Sequence, residues 1–425
     1  MTMKDAWQRD VPVFDVPIWT RPFIALCGLA AVGLTLVGYR EVVGLGPASG
    51  MNDAYAWGIW KTFNTMVLTG LGSGAFAIGI AAWIFRRDQL HLVMRTALLT
   101  SFLAYAFGLA MLGVDVGRPW NFYWILAPWR WNLHSPLLEV AVCMSIYASI
   151  PLFLENIPPV LEYAYDHWPR WRPGVKKVEK LFVVGFPWVV SLAYVLPAMH
   201  QSSLGALMLL GGTRVSPLWQ TPFLPLLYVW AAAFLGFAFV SATLLFCGVM
   251  WHRPLDVDIV SELSRLTAWL IAGWLAFRIV DLTVRGQIVS AFGFDIDAGL
   301  FWLEIAILGA ALWMLRKSVI KRSPRAMFYG ALLASVGGML YRFDPTTTAF
   351  QPKPGAIYFP SVIELLISIG FMSMGIAIFI FLAKVLPILP GSIKMWRAME
   401  AQQAKNAGVQ RPTLRPRAEE YVCGD

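Results

Sequence analysis

Residues 223–250 read FLPLLYVWAAAFLGFAFVSATLLFCGVM, a run without a charged side chain that is long enough to cross the hydrocarbon core of a bilayer as one helix. Nine more segments have the same character, and the connections between them hold most of the charged residues. The predicted spans are residues 23–39, 59–85, 96–114, 136–154, 181–200, 223–250, 266–284, 299–315, 326–341 and 360–386. The runs are continuous and do not alternate with polar residues, which excludes a transmembrane barrel. The sequence therefore predicts an all-α, polytopic membrane protein with about ten transmembrane helices in two bundles.

The composition of the whole chain agrees with this class. Of its 425 residues, 58% are hydrophobic and 14% are charged, and the mean hydropathy is +0.61, whereas soluble domains carry about 25% charged residues. Of the 34 Lys and Arg residues, 23 lie before the first span, after an even-numbered span or from residue 384 onward, and seven lie in the other connections. The remaining four lie within the spans or at their edges: Lys61, Arg95, Arg265 and Arg278. Because basic residues accumulate in cytoplasmic connections, we expect both termini in the cytoplasm. This topology accounts for the net charge of +9, so nothing further indicates a nucleic-acid partner.

The charge pattern also divides the chain into three regions. Residues 1–21 form a polar cytoplasmic segment, residues 22–390 form the membrane domain, and residues 391–425 are polar and basic. We expect the last region to be a flexible cytoplasmic tail, because it lacks an apolar period.

The cysteine and histidine residues predict no cofactor held by this chain. The four cysteines are isolated, without the spacing of an iron–sulfur cluster or a c-type haem: they are Cys27, Cys143, Cys247 and Cys423. His91, His167 and His252 fall in connections on the predicted cytoplasmic side, which leaves His134 and His200 near the outer ends of spans. One b-type haem is geometrically possible there, but a transmembrane di-haem cytochrome needs four ligands. We therefore expect no haem, no iron–sulfur cluster and no metal in this chain.

Several ionisable residues lie near the outer ends of the third and fourth spans. Asp115 and Arg118 are three residues apart, a spacing that allows an ion pair on the last turn of a helix. Such a pair either clamps the helix end or binds and protonates a polar ligand headgroup. His134 precedes the fourth span, and Glu139 lies five residues further on without a basic neighbour on its helix. Desolvation of Glu139 would raise its pKa and allow proton exchange near neutrality.

The second and fifth spans contribute further polar residues. Asn64 lies near the outer surface in the second span, and His200 closes the fifth span, where an imidazole serves either as a helix cap or as a ligand. The small-residue string Gly70-Leu-Gly-Ser-Gly74 predicts close helix packing rather than a nucleotide loop, because it lies inside a membrane span.

The second half of the chain has its own outer group of ionisable residues. Arg278 and Asp281 are three residues apart and are expected to form an ion pair, while Glu304 and Glu364 begin the eighth and tenth spans. These four residues form either a proton route or the charge pairs that hold a second bundle together.

Six motifs in a fixed order carry a family resemblance: DVGRPWN (115–121), EVAVCMSIY (139–147), MHQSSLGALM (199–208), PLWQ (217–220), YFPSVIELLISIGF (358–371) and LPILP (386–390). Together they resemble the HybB branch of the NrfD/polysulfide reductase family of integral membrane subunits. The likeness runs from about the first span to residue 390 and is greatest to the membrane subunits of periplasm-facing nickel–iron uptake hydrogenases.

The resemblance implies a quinone-reactive membrane anchor in the inner membrane of a bacterium. Such a subunit passes electrons between menaquinone or ubiquinone and a ferredoxin-like iron–sulfur subunit, which is joined on the periplasmic face by the small and large hydrogenase subunits. His134, His200, Asp115 and Glu139 would then hydrogen-bond the quinone carbonyls or relay protons, and Arg118 would stabilise the reduced anion.

Two other interpretations of the sequence stay open. The same quinone role fits a complex with a sulfur-oxyanion, molybdopterin or multihaem cytochrome partner. A proton or solute transporter would instead place its site residues near the midplane, among broken helices.

Overall fold

The computed structural model describes residues 17–390, apart from residue 56, residues 252–255 and residues 352–355. Most of the predicted N-terminal segment and all of the predicted tail, 391–425, lie outside the described residues, as do His252 and Cys423.

Ten long helices, numbered here α1 to α10, make up most of the described chain. They are α1 (Arg21–Val43), α2 (Gly58–Ile84), α3 (Met94–Asp115), α4 (Pro136–Tyr147), α5 (Arg172–Leu209), α6 (Leu224–Met250), α7 (Val257–Val284), α8 (Ile296–Lys321), α9 (Pro324–Phe343) and α10 (Val362–Val385). Shorter helical pieces connect them: Leu45–Ala48, Asp88–Val93, Pro119–Leu126, Pro128–Arg130, Phe153–Glu155, Ile157–His167, Pro169–Trp171, Gly212–Arg214 and Ile288–Phe292. Four π-helical turns also occur in the described chain, at Thr62–Val67 and Ile80–Ile84 within α2, at Ala148–Leu152 after α4 and at Asp344–Thr348 after α9.

Eight helical segments are long and apolar enough to cross a membrane, and the fourth of them, Pro136–Tyr165, consists of α4 together with the shorter helical pieces that follow it. These eight segments match eight of the ten predicted spans. The two others, the fifth and the ninth predicted spans, are helices α5 and α9, which are not among the eight. The all-α, polytopic class is thus confirmed, whereas membrane crossing by α5 and α9 stays a prediction.

The helix α5 is longer than its predicted span at both ends. It runs unbroken from Arg172 to Leu209, so His200 lies inside the helix and does not close it as the sequence suggested. The helix continues through the polar stretch that follows His200 because this stretch is buried against α2 and α3, where its side chains find hydrogen-bond partners.

The helix α2 lies at the centre of the molecule. In its most apolar window 78% of the residues are buried, compared with 17% for α1. Close packing of α2 depends on small residues: a Cβ atom at Gly74 would lie 2.6 Å from a methyl group of Val240 in α6, and one at Gly72 would lie 2.6 Å from the Cβ of Ala104 in α3. The predicted packing role of the Gly70–Gly74 string is therefore confirmed.

The remaining helices surround α2 in two groups. One group contains α3, α4 and α5, and the other contains α6, α7, α8 and α9, with α6 in contact with α2 and α5. The first and last helices pack side by side, at a crossing where a Cβ atom on Gly33 would lie 2.7 Å from the Cα of Gly370. The division into two bundles stays a prediction, and α2 is placed so that it can share polar contacts with both groups.

Candidate functional site

The buried face of α2 carries a row of polar side chains. These are Thr62, Asn64, Thr65, Thr69 and Ser73, each of which is at most 1% exposed. A π-helical turn occupies Thr62–Val67 and adds a residue to the turn, a feature often found at functional sites. Thr69 and Ser73 donate to backbone carbonyls of their own helix, whereas the side-chain oxygens of Thr62, Asn64 and Thr65 are buried without a hydrogen-bond partner among the described residues. This row therefore marks the part of the interior where a polar ligand can be recognised.

Asn64 connects this row to α10. Its side-chain nitrogen donates to the Trp60 carbonyl at 2.9 Å and to the Ser368 hydroxyl at 3.1 Å. The side-chain oxygen of Asn64 is buried and has no hydrogen-bond partner among the described residues. Asn64, which was predicted as a site residue, thus offers a spare acceptor in the interior.

A second set of polar residues meets α2 from α3 and α5, and we call Thr69, Tyr105, His200 and Gln201 the His200 network. The Gln201 side chain donates to the Thr69 hydroxyl at 3.3 Å and to the Tyr105 hydroxyl at 3.1 Å. The His200 ring lies 5.3 Å from the Tyr105 ring, centroid to centroid. All four residues are fully buried. The sequence predicted His200 but missed its three partners, because single polar side chains on apolar helices are typical of ordinary core positions.

The hydrogen bonds of His200 determine which ring nitrogen can exchange a proton. Its Nδ1 lies 3.2 Å from the carbonyl oxygen of Val140, and its Nε2 lies 3.2 Å from the hydroxyl oxygen of Thr69. A carbonyl oxygen can only accept, so Nδ1 carries the proton and Nε2 is the acceptor of the neutral ring. The Thr69 hydroxyl itself donates to the Thr65 carbonyl at 2.6 Å. The Nε2 atom is therefore the part of His200 that can receive a proton or bind a ligand hydroxyl.

Arg342 brings a positive charge to this region from the end of α9. It is fully buried and donates to the Met66 carbonyl at 2.9 Å and to the Tyr228 carbonyl at 3.1 Å. Among the described residues no carboxylate pairs with Arg342, and its Nε atom has no hydrogen-bond partner. Gly70 makes room for it, since a Cβ atom there would lie 2.8 Å from Nε. A buried cation without a counter-ion strongly favours an anion nearby.

Asp115 lies at the end of α3 and is buried, with no hydrogen-bond partner for either carboxylate oxygen among the described residues. Its charged neighbours are Lys61, Arg40 and Glu364. The predicted pair with Arg118 is wrong. The helix ends at Asp115 and the chain turns to an extended conformation at the next residue, which leaves Arg118 exposed outside the helical register.

Arg40 in α1 supplies the nearby positive charge that the sequence assigned to Arg118. It is 2% exposed, donates to the Val116 carbonyl at 2.6 Å and pairs with Glu41 at 2.7 Å. No sequence pattern indicated this contact, because α1 and the end of α3 are far apart along the chain.

Two further predicted site residues do not join the site. His134 is exposed in the connection before α4, where its backbone N–H donates to the Asn132 side chain. Glu139 is exposed on the first turn of α4 and is not desolvated in the protein interior as the sequence suggested. The buried face of α4 is formed by residues at helical spacing that begin with Val140, which directs Glu139 elsewhere.

Glu364 acts as a clamp at the start of α10. Its Oε1 accepts from the Trp60 backbone N–H at 3.0 Å and from the Tyr358 hydroxyl at 2.7 Å, and its Oε2 accepts from the Gly50 N–H at 3.1 Å. It also completes a capping box with Ser361. Burial and the hydrogen bond with Glu364 raise the pKa of Tyr358, which keeps this hydroxyl a donor. Glu364 thus contacts α2 and does not join the other predicted proton-path residues.

The second buried charge cluster lies among α7, α8 and the connection before α6. Arg278 contacts Glu304 at 3.5 Å and donates to the Leu218 carbonyl at 2.8 Å, while the Trp219 indole donates to Glu304 at 2.9 Å. The predicted Arg278–Asp281 ion pair is wrong. Asp281 pairs with Arg285 at 2.9 Å, just beyond the end of α7, because Arg278 faces α8 instead.

Asp344 extends this cluster from the end of α9. Its carboxyl group contacts that of Glu304 and accepts from the Thr348 hydroxyl at 2.6 Å. Burial raises the pKa of Asp344 to about 8, and the negative charge of Glu304 adds to the increase. The two carboxyl groups can therefore hold a shared proton at neutral pH.

Among the described residues no group of three or more His, Cys, Asp or Glu side chains is arranged to bind a metal ion. The described cysteines, Cys27, Cys143 and Cys247, lie in α1, α4 and α6, respectively.

Comparison with known proteins gives a family and several relatives. A family model described as "Polysulphide reductase, NrfD" matches residues 47–344. The chain is 34% identical over 376 residues to the "Probable Ni/Fe-hydrogenase 2 b-type cytochrome subunit" of Escherichia coli (strain K12), a match that covers 88% of this chain and 93% of that relative. It is 26% identical over 339 residues to the "Menaquinone reductase, integral membrane subunit" of Nitratidesulfovibrio vulgaris, and this match covers 73% and 77%. A shorter match, 28% identical over 101 residues, covers 24% of this chain and 23% of a selenate reductase subunit of Mesobacillus selenatarsenatis.

The first of these names corrects the expectation that the chain holds no haem, because the E. coli relative is named a b-type cytochrome subunit. Counting histidines at the outer ends of spans was the wrong criterion, since it overlooked what one buried imidazole can do. With Nδ1 bound to a backbone carbonyl, His200 is oriented as metal-ligating histidines are. Its other ring nitrogen, Nε2, lies 3.2 Å from the Thr69 hydroxyl.

Proposed function

Because this chain belongs to the polysulphide reductase NrfD family, we propose that it is the quinone-reactive membrane subunit of a multi-subunit redox complex. It passes electrons between menaquinone and a periplasmic iron–sulfur subunit of a nickel–iron hydrogenase, in the inner membrane of a bacterium. The names of the hydrogenase and menaquinone reductase relatives support this proposal. Both termini lie in the cytoplasm, which places the outer connections on the side of the hydrogenase subunits.

The observation that carries the proposal is the His200 network beside Arg342. A quinone headgroup has two carbonyl oxygens that need hydrogen-bond donors. Both N–H bonds of the Gln201 amide are used within the network, so the donors for the headgroup are the Tyr105 hydroxyl and the Nε–H of Arg342, which has no partner among the described residues. Reduction by two electrons creates negative charge on these oxygens, and the unpaired cation of Arg342 stabilises it.

Two buried groups exchange protons with the quinone, one within the His200 network and one at the end of α3. The reduction consumes two protons, and the Nε2 of His200 and the carboxyl group of Asp115 are the buried groups able to exchange them. Asp115 lies on the same helix as Tyr105, at the end that faces the predicted periplasmic side, and we assign it the proton-transfer step between the network and the outer surface. Asn64 lies on α2 between these two levels and orients the headgroup or an intervening water.

A proton route through the second half of the chain is a separate part of the proposal. The carboxyl groups of Glu304 and Asp344 touch, and Arg278 balances their charge, which are the properties of a proton-holding site. Asp281 lies on the same helix, linked to the connection before α6 through Thr221. Glu364 lies outside this cluster, and it contacts α2 at the Trp60 backbone N–H.

The catalytic partner has an alternative that the relatives support. Similarity to a selenate reductase subunit and to a menaquinone reductase subunit fits the same quinone site in a complex with another redox enzyme. Purification of the tagged chain from its native membrane distinguishes the two, because a nickel-containing large subunit co-purifies only in the hydrogenase complex.

The quinone site is tested by hydrogen-dependent menaquinone reduction in membranes that contain Asp115→Asn, His200→Ala or Arg342→Met. We expect each rate to fall by about tenfold or more, as for the loss of a general acid or an electrostatic stabiliser. Hydrogen-dependent reduction of a soluble dye by the catalytic subunits should stay unchanged, which shows that the complex is assembled. Ser202→Ala is the matched control, because Ser202 neighbours the network but donates only to the Met199 carbonyl. Wild-type quinone reduction in all three variants would overturn the proposed site.

A further inference from the structure

We propose that a cavity at the opposite end of the molecule binds the phosphate group of an anionic phospholipid. The cavity has a volume of about 520 Å³ and lies where the end of α2, the start of α7 and the end of α8 meet. Four arginines contribute to its wall: Arg86, Arg87, Arg265 and Arg322. The charge count in the sequence places these helix ends on the cytoplasmic side.

The arginines are only partly neutralised by the acidic residues around them. Glu262 pairs with both Arg87, at 3.3 Å, and Arg265, at 3.2 Å, and Arg322 pairs with Asp258. Arg86 has no ion pair among the described residues. One carboxylate cannot satisfy two guanidinium groups, each of which has five N–H donors. Asp88 also lines the cavity, so four arginines face the three carboxylates of Asp88, Asp258 and Glu262, and the cavity presents unused donors with a net charge of +1.

The backbone presents two of these arginines in an unusual way. Arg86 (φ 53°) and Arg322 (φ 50°) are the two residues other than glycine with positive φ in the described part of the chain. Each follows the end of a long helix, a position at which glycine is the usual left-handed residue. A side chain at such a position is less favourable than glycine, so the presence of arginine at both suggests that its guanidinium group is needed there.

The surroundings of the cavity favour a lipid over a free anion. Exposed apolar side chains lie just before Arg86 and Arg322 along the chain. They are Ile84 (62% exposed), Phe85 (68%) and Ile320 (83%). These apolar side chains lie at the level where the acyl chains of a lipid begin, while the arginines lie at the level of its phosphate. Basic pockets between spans on the cytoplasmic side are a recurrent feature of anionic-lipid recognition. The proposed occupant is thus a phospholipid with a net negative headgroup, whose chains lie along α2 and α8.

The test uses the full chain in its purified complex, delipidated in detergent, with thermal unfolding recorded against added lipid. We expect phosphatidylglycerol or cardiolipin in mixed micelles to raise the unfolding temperature, and phosphatidylcholine and inorganic phosphate to have no such effect. In Arg86→Gln, which breaks no described ion pair, the apparent affinity for the anionic lipid should fall by about fivefold, and it should fall further in Arg86→Gln with Arg265→Gln.

Arg316→Gln is the matched control, because it removes the same charge from an exposed position on α8 that does not line the cavity. It should bind the anionic lipid as the wild type does. Equal stabilisation by phosphatidylcholine, or equal weakening in Arg316→Gln and Arg86→Gln, would overturn the proposal. Stabilisation by inorganic phosphate alone would also overturn it, by assigning the cavity to a free anion. The mixed-micelle assay does not depend on quinone turnover, so its outcome is independent of the function proposed above.

Discussion

At the scale of single residues, Gly70 and Arg342 form one unit. The guanidinium group lies against the backbone of α2 because residue 70 has no side chain, and this position brings the charge next to the His200 network. The pair shows how a glycine in a membrane span can serve a charged residue as well as helix packing. It also explains how α9 brings to the His200 network a positive charge that none of the predicted quinone-binding residues supplies.

We expect Gly70→Ala to displace Arg342. The added Cβ would lie 2.8 Å from Nε, so the guanidinium group must shift and lose a carbonyl contact. The free energy of unfolding should fall by about 1–3 kcal/mol, and menaquinone reduction should slow along with it. Gly113→Ala is the control, because a Cβ atom there meets no atom within 4 Å. Equal stability and equal turnover for both variants would contradict the unit described here.

Asp344 gives the molecule a pH dependence with a definite sign. Burial raises its pKa to about 8, whereas the pKa of an aspartate in an unfolded chain is about 4. The folded state thus binds a proton that the unfolded state has lost, so this contribution to stability is present below about pH 4 and disappears as the pH rises to about 8.

Thermal unfolding in detergent between about pH 5.5 and about pH 9 measures this contribution. The unfolding temperature of the wild type should fall as the pH approaches 8 and then level off. Asp344→Asn should be less sensitive over the same interval, because its side chain does not titrate. A variant with the same pH dependence as the wild type would show that Asp344 is already ionised when the protein is folded.

Some of the predicted site residues lie in the protein interior. Asn64, Asp115 and His200 are buried, while their role in quinone binding stays a prediction. Three other predicted site residues are exposed and lie outside the candidate site: Arg118, His134 and Glu139. Their positions depend on where helices end and which face of α4 is buried, and both are decided by packing between distant parts of the chain.

At the scale of secondary-structure elements, the sequence was most informative about the apolar spans. It did not predict the π-helical turn in α2 or the continuation of α5 beyond His200. Both depend on contacts that only the folded chain supplies: hydrogen bonds between α2 and α10 in one case, and between α2, α3 and α5 in the other. A hydropathy window ends a helix where polar residues begin, whereas the folded chain can extend the helix if those residues are paired.

The start of α10 provides a test of a structural role against a proton-transfer role. Glu364→Gln replaces one acceptor oxygen by an NH₂ group, which leaves either the donors of Trp60 and Tyr358 or that of Gly50 facing another donor. We expect the free energy of unfolding to fall by about 1–3 kcal/mol, as measured by thermal unfolding of the purified complex. Asp297→Asn, a carboxyl in the first turn of α8, is the matched control. A loss of turnover without a loss of stability in Glu364→Gln would instead assign Glu364 to proton transfer.

At the scale of the whole molecule, the family resemblance inferred from six motifs is confirmed, because the family model covers residues 47–344. The motifs succeeded because they combine helix ends, buried polar residues and prolines in a fixed order. The functional consequence depends on orientation. A quinone site that opens toward Asp115 takes its protons from the periplasm only if this end of α3 faces outward, and the arginine cavity meets cytoplasmic lipid only if the opposite face points inward.

Orientation is tested by single-cysteine labelling in a background where the four native cysteines are replaced by serine. A membrane-impermeant maleimide added to intact spheroplasts should label Phe294→Cys, which lies fully exposed in the connection between α7 and α8. It should not label Lys321→Cys at the other end of α8, because basic residues there hold that end in the cytoplasm. After permeabilisation both cysteines should react, which shows that neither is buried. The reverse pattern would show the opposite orientation in the membrane. The proposed quinone site would then take its protons from the cytoplasm and lie on the side away from a periplasmic hydrogenase.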